Sequence, residues 1–325
     1  MKIDIDYVVP MVFPQDLKWR HDYLTANGMF RDDKQSMGNS RYRTWGTEEL
    51  LVRCIRKNLP WVRTIHILLA RESQVEYLND WSNLNNQSDR SSLNDRSDRS
   101  NRSVPKIHFV FHKDFIPADK LPTFNSRTIE MYLHRIPWLA PYFLYGNDDM
   151  FPLAPMERED FFRETAADAT GTGALLPCLH WTIKSFNPEK AFHKACMNGM
   201  NFVASEFGKH YNSGWIHVGH NVVPMVKATC EMFWERWPEK MDASVTTFRQ
   251  VVNFNQYIYS WWQISSEQYV NHKPPRGYIS TDNSEEEIVK AIRTAEGLLC
   301  INDNDSVDDI TNLAAVVRSE IQKRL

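Results

Sequence analysis

Phe143-Leu144-Tyr145-Gly146-Asn147-Asp148-Asp149-Met150-Phe151 is an apolar run broken by an amide and two adjacent carboxylates. An α/β enzyme presents acid side chains in this way at the carboxyl edge of its sheet. Neighbouring carboxylates raise one another's pKa unless a cation lies between them. A hard divalent ion, Mg²⁺ or Mn²⁺, meets that need and keeps coordination sites for phosphate oxygens. Asp148 and Asp149 are therefore expected to hold a divalent metal that meets a phosphorylated partner. The competing reading is a strand-to-turn junction in which Asn147 and Asp148 only bond local backbone.

Three further groups have side chains suited to chemistry. His220 lies in His217-Val218-Gly219-His220-Asn221-Val222-Val223-Pro224, where Gly and Pro suggest an irregular, rigid loop ahead of a helix. A histidine in such a loop can act as a base near neutral pH; the alternatives are a structural hydrogen bond or a zinc pair with His217, for which no third and fourth ligands are apparent nearby. Arg249 stands among apolar neighbours in Thr247-Phe248-Arg249-Gln250 and calls for an anion, either a ligand or a structural Asp. Asn302 and Asp303 follow the apolar run 297–301 and repeat the opening theme, either completing the metal site or capping the next helix.

The elements that must position these residues follow from periodicity. Residues 3–9, 64–70, 107–111 and 142–146 read as short apolar strands separated by helical stretches, the alternation of a mostly parallel sheet. A helix is expected over 47–59, with Thr47 as cap and Leu51, Cys54, Ile55 and Leu59 inward. Another, capped by Asn125 or Ser126, carries Ile129, Leu133 and Ile136. Beyond Pro152 the pattern loosens, and 180–194 and 206–218 suggest loops and short helices on an acceptor side. Helical periodicity returns at 226–237, with Cys230, Phe233, Trp234 and Trp237 on one face. The aromatic cluster in 254–262 suits packing more than sugar stacking. An amphipathic helix over 306–325 closes the chain; docking on the domain is expected, while Arg318, Lys323 and Arg324 keep a peripheral membrane attachment open. Residues 86–103 repeat Ser, Asp, Asn and Arg and read as a flexible insert.

The fold class expected is α/β: a mostly parallel, Rossmann-like sheet flanked by helices, with a helical and irregular C-terminal half. At 325 residues and 42% hydrophobic content the chain can bury one large catalytic domain. A net charge of −3 argues against nucleic acid as partner. Asp4 and Asp6 interrupt any secretory apolar segment, and no 18-residue apolar run offers a transmembrane span. Five scattered cysteines suit reduced buried thiols. The expectation is a cytoplasmic protein, with the inner face of the membrane as its one alternative site.

Together these residues resemble the Stealth family. These hexose-1-phosphate transferases include bacterial capsular polysaccharide phosphotransferases and the N-acetylglucosamine phosphotransferase that tags lysosomal enzymes. The strongest block is His112-Lys113-Asp114-Phe115-Ile116-Pro117, then residues 121–136 beginning Leu121-Pro122-Thr123-Phe124-Asn125-Ser126-Arg127, then Asn147-Asp148-Asp149-Met150-Phe151. Arg41-Tyr42-Arg43 through Pro60-Trp61-Val62, His220 with Pro224, Phe248-Arg249, and Cys300-Ile301-Asn302-Asp303 resemble other parts of the pattern. The first region departs from it. Where the family reads Trp-Val-Asp-Gly-Ser-Asp-Pro-x-Trp, this chain keeps Asp16 and Trp19 but has Phe13, and Thr44 stands where many members carry Asp. That implies a donor held differently, or an impaired enzyme.

The resemblance implies that a hexose, N-acetylhexosamine above all, moves with its own phosphate from a UDP-sugar to a glycan hydroxyl, releasing UMP, in capsule or exopolysaccharide synthesis. It further implies that Asp148 and Asp149, with Asp303, hold Mg²⁺, that Arg249 clamps the transferred phosphate and that His220 takes the hydroxyl proton. Asp16, Arg43, Asn125, His134, Arg135 and Asn147 are the candidate substrate-binding residues; Arg43, His134 and Arg135 would otherwise be helix-surface and ion-pair residues. Two rivals remain: a metal-dependent glycosyltransferase that releases UDP, and a non-catalytic partner in a polysaccharide assembly complex.

Overall fold

A computed structural model describes residues 3–29, 42–81, 104–165, 173–304 and 306–325. The insert expected at 86–103, and Arg41, lie outside the described residues. The chain opens with β1 (Ile5–Pro10), α1 (Leu17–Met29), α2 (Glu48–Asn58), β2 (Thr64–Leu69), β3 (Lys106–Phe111), the single turn α3 (His112–Phe115), α4 (Ser126–Met131), β4 (Tyr142–Tyr145) and β5 (Met150–Pro152). It continues through β6 (Phe162–Glu164), β7 (Leu175–Leu179), β8 (Thr182–Ser185), α5 (Ala191–Ser205), β9 (Gly214–His217), β10 (Val223–Val226), α6 (Lys227–Arg236) and α7 (Pro238–Ala243). Last come α8 (Tyr257–Ser265), β11 (Val270–Asn271), β12 (Arg276–Ser280), α9 (Glu285–Thr294), β13 (Leu298–Asn302) and α10 (Thr311–Arg324).

Five strands form the central sheet in the order β10-β4-β1-β2-β3, with β1 to β4 parallel and β10 antiparallel at the edge. The sheet separates two apolar layers. Ile5, Tyr7, Val9, Ile65, Ile67 and Leu144 face one side, packed with Leu51 and Ile55 of α2 and Val317 and Ile321 of α10. Val8, Leu68, Phe143 and Tyr145 face the other, against residues such as Phe233 of α6 and Ile258 and Trp261 of α8. Burial on both faces explains why these strands read as near-continuous apolar runs. The four early strands and α2 lie within two residues of their expected bounds, although Thr47 makes no side-chain cap bond.

The C-terminal half differs from the loops and short helices expected. Three small sheets form there: β6 with β7 and β11, β8 with β9, and β12 with β13 and β5. Their strands run from two to five residues, too short for period-two alternation to stand out. The stretch ahead of α6 is also a strand, not a continuing loop: β10 includes Pro224, tolerated because β10 is an edge strand. The terminal helix docks as expected. Its basic residues bond within the protein, Arg318 to the Trp45 carbonyl, Lys323 to Glu320, and Arg324 to the Arg293, Leu153 and Ala295 carbonyls. Among the described residues no helix is long and apolar enough to cross a membrane.

The amino edge of the sheet is fastened by a fully buried carboxylate. Asp6 accepts from Arg63 Nε at 2.9 Å, Arg63 Nη2 at 2.6 Å and the Ala140 N–H at 2.8 Å, and lies 3.0 Å from His66 Nε2. Burial alone would raise this carboxyl, but His66 and Arg63 outweigh burial and hold it below its ordinary value of 3.8. Removing one partner from such a buried network typically costs about 3–5 kcal/mol, the loss expected for Asp6→Ala in urea unfolding. Because the native carboxyl ionises below the unfolded one, its contribution is complete above the unfolded pKa and is lost as pH falls through the native one.

Candidate active site

The carboxyl ends of β1 and β4 open into a cavity of about 870 Å³. Gly146 ends β4 and places the next three residues at its floor. A Cβ there would lie 2.3 Å from Tyr7 Oη and 3.1 Å from Val222, so the chain passes only because the position has no side chain. Gly146→Ala is expected to cost about 1–3 kcal/mol by overpacking and to displace the acids behind it, a loss read as a lower melting temperature.

Asn147, Asp148 and Asp149 all line the cavity. The Asn147 carbonyl accepts from the Met150 N–H at 3.2 Å, closing the turn that separates β4 from β5. Asp149 accepts from the Cys300 thiol at 3.6 Å through Oδ2, whereas its Oδ1 is buried without a partner. Burial, then Asp149, then Glu48 push the Asp148 carboxyl up to about 8. Burial raises Asp149 too, against the opposing pull of His220 and the Cys300 thiol. Two half-buried acids, one with an orphaned oxygen, fit a divalent cation. The local turn alone does not satisfy Asp149.

His220 reaches these acids through strand pairing. β10 runs antiparallel to β4, with Val223 opposite Tyr145, so the loop ahead of β10 lies beside the acids beyond β4. Nδ1 of His220 is 3.5 Å from Tyr257 Oη, which donates to the Gly219 carbonyl at 3.3 Å. Ligating atoms of Asp149, His220 and Cys300 lie within 4.8 Å of one another. His217 stands outside that group; burial first, then Lys184 and Arg276, lower it to about 4 and keep it neutral.

Arg249 enters from the loop between α7 and α8. Its neighbour Phe248 anchors the loop by stacking on Phe124 at 5.5 Å within a cluster that includes Trp19, Tyr23 and Tyr42. Asn125 does the rest: it caps α4 by accepting from the Arg127 N–H, and its amide donates to the Thr246 and Phe248 carbonyls and to Asn253. The Arg249 guanidinium bonds the Ser126 hydroxyl and lines the cavity, with no ion pair to a carboxylate among the described residues.

The remaining sequence candidates separate. Asp303 lines the cavity at the end of β13 but forms a two-pronged ion pair with Arg43, both bonds 2.6 Å, and accepts from Trp45 Nε1 at 3.1 Å. It does not cap the helix that follows; the first N–H of α10, at Thr311, bonds Asp309. Arg43 thus meets an acid as well as lining the cavity. Asp16 is buried away from the lining, accepts from the Lys18 and Trp19 N–H groups at the start of α1 and takes the Ser73 hydroxyl at 2.8 Å. Asn125 is fully buried and positions its neighbours. His134 and Arg135 are also absent from the lining: His134 is buried beside Trp234, and Arg135 lies over the Tyr132 and Trp234 rings. Phe13, the departure in the first region, is buried and stacks on Tyr77 at 5.7 Å. Thr44 bonds Glu48 and the Gly46 N–H.

Sequence reasoning missed Cys300 as a neighbour of Asp149, and it missed Arg276, Lys184 and Lys273 in the lining. The only local signal was the short run Gly277-Tyr278-Ile279 after Arg276, which marks a strand only once its partner β13 is known.

Fold and cavity together define an α/β protein whose sheet rim carries paired acids, an imidazole and guanidinium groups around a cleft suited to anionic ligands. Residues 41–170 match the family model described as Stealth protein CR2, conserved region 2. The chain is 28% identical to receptor polysaccharide phosphotransferase WefC of Streptococcus gordonii, and 26% identical to capsular polysaccharide phosphotransferase WcwK of Streptococcus pneumoniae; each alignment covers 94% of this chain and 92% of the relative. It is 25% identical to exopolysaccharide phosphotransferase cps2G of Lactiplantibacillus plantarum, over 99% of this chain and 94% of that one. The chain therefore carries the conserved region 2 of the Stealth proteins and is related along nearly its whole length to polysaccharide phosphotransferases.

Proposed function

We propose that this chain is a phosphotransferase of capsule or exopolysaccharide synthesis that moves a hexose-1-phosphate, an N-acetylhexosamine-1-phosphate above all, from a UDP-sugar to a glycan hydroxyl and releases UMP. One observation carries the reading: two half-buried carboxylates, one with an unpartnered oxygen, share a single cavity with His220 and with an Arg249 guanidinium that has no ion-pair carboxylate among the described residues. The strand order β3-β2-β1-β4 supports the Rossmann-like part of the proposal, since nucleotides bind where such an order reverses, outside the carboxyl ends of β1 and β4.

Asp148 and Asp149 would hold Mg²⁺ or Mn²⁺; Asp303, committed to Arg43, supports the site from its edge. When bound, the metal supplies charge neutralisation on the diphosphate. Arg249 binds the phosphoryl oxygens through a fork held by Ser126 and by the Phe248 anchor. His220 accepts the proton of the acceptor hydroxyl as that oxygen attacks the β-phosphorus, and Tyr257 orients the imidazole. The bond from phosphorus to the bridging oxygen breaks, the electron pair leaves on UMP, and a phosphodiester remains. The anomeric bond is untouched, so the sugar keeps its configuration. Because charges are stabilised only in the assembled cavity, the residues act on the transition state more than on the substrate.

A screen of UDP-sugars with Mg²⁺ and glycan acceptors tests the proposal. The expected result is an acceptor mass gain of one sugar plus phosphate with stoichiometric UMP. A gain of sugar alone with release of UDP would assign the chain to glycosyl transfer instead.

A further inference from the structure

One wall of the cavity has no role in the chemistry above. Arg276 opens β12, Lys273 precedes it in the connection from β11, and Lys184 comes from β8; all three line the same cavity. Arg276 is half-buried and donates to the His180 carbonyl at 3.2 Å. Its guanidinium lies under the loop of His220: Gly219, at φ +91, leaves room where a Cβ would come within 2.9–3.0 Å of three guanidinium atoms. Lys184 faces the same side of the β8 and β9 ribbon as His217, since Thr182 pairs with His217 and Lys184 with Trp215. Burial holds Arg276 below the ordinary arginine value, and its opposing influence comes from Tyr257, not from an acid.

None of the three cations pairs with a carboxylate among the described residues. Three positive groups converging from separate elements repel one another, and a half-buried guanidinium without an acid gains most when an anion arrives. The donor diphosphate already has a metal site and Arg249. The unpaired wall lies instead around His220, the residue that meets the acceptor hydroxyl.

We propose that Arg276, Lys184 and Lys273 form an acceptor subsite for an anion, so that the preferred acceptor is a glycan carrying a phosphodiester or a carboxylate near the hydroxyl offered to His220. This rests on the phosphotransferase reading for its direction, acceptor rather than donor. The subsite selects the acceptor by charge, and selection weakens with salt because the lysines are exposed.

The test titrates the whole chain, without donor, with maltotriose, with a phosphodiester-linked glucose trimer and with trigalacturonic acid. At low salt at least one anionic trimer should bind about tenfold or more tighter than maltotriose, as one charge-assisted contact allows. Arg276→Gln and the double variant Lys184→Gln/Lys273→Gln should each remove that advantage. The double variant changes only exposed side chains and so guards against misfolding of the first. A stronger response to the phosphodiester than to the uronide assigns the group as phosphate, and the reverse assigns it as carboxylate. UDP binding with Mg²⁺ should hold in the double variant. Equal binding of all three trimers, an advantage that survives both variants, or a tenfold fall in UDP affinity in the double variant would overturn the subsite. Failure to release UMP from any donor would sink the phosphotransferase reading alone, since the trimer titration needs no turnover.

Discussion

His220→Ala is expected to lower kcat by about 10²–10⁴-fold, the range that one positioned general base contributes. The imidazole is held where a base is needed, within 4.8 Å of Asp149 and 3.5 Å from the Tyr257 hydroxyl, on a loop fixed by the pairing of β10 with β4. Donor binding should persist, because the acids and Arg249 stay in place, so the loss appears in kcat more than in the donor KM. Tyr257→Phe removes only the orienting contact and should cost much less. A purely structural histidine predicts another pattern: a lower melting temperature with near-normal turnover per folded molecule. Single-turnover measurements on the soluble variant, with circular dichroism as the folding control, separate the two.

Asp149→Asn is expected to remove metal-dependent turnover to the limit of detection, at least about 10³-fold, while making the metal-free protein more heat-stable. Both follow from one source. Without a cation, Asp148 is pushed up to about 8 by burial, by Asp149 and by Glu48, and the two acids oppose each other's ionisation. Replacing Asp149 by the neutral amide relieves that repulsion. The sign of the pH dependence is fixed. An unfolded Asp148 ionises near 3.8 while the folded one keeps its proton to about 8, so the metal-free protein loses stability as pH rises through this window. Cation binding must expel that proton, so below pH 8 the Mg²⁺ affinity should climb by up to about tenfold per pH unit and then level off. Calorimetry in two buffers of different ionisation heat counts the released proton directly. Full Mg²⁺ stabilisation in Asp149→Asn, or an affinity flat between pH 6 and 8, would exclude the paired acids as the metal site.

How much of this was legible before folding depended on the range of the interaction. The acid pair announced itself because Asn147, Asp148 and Asp149 follow an apolar strand without a break. His220 and Arg249 stood out by local context. Their convergence did not, since it depends on contacts across long stretches of chain, the pairing of β10 with β4 for His220 and the hold of Asn125 and Phe124 on Phe248 for Arg249. Pro224 hid β10 from any periodic signal. Asp303 looked like a ligand or a cap, yet its partner Arg43 lies 260 positions earlier, a distance no spacing rule spans. His134 and Arg135 belonged to a matched string and face Trp234 instead, because α4 ends at Met131 and the following turn carries them away from the cavity. Arg276 was missed for the opposite reason: nothing in Pro275-Arg276-Gly277 is unusual until Gly219 is seen to lie against it.

The central claim is that phosphorus moves together with the sugar. A UDP-sugar labelled at its β-phosphorus, incubated with the chain, Mg²⁺ and an acceptor glycan, follows that atom. Phosphotransfer predicts that the label enters the glycan as a phosphodiester and that the nucleotide released is unlabelled UMP. Label recovered in UDP, with sugar but no phosphorus on the glycan, would contradict it.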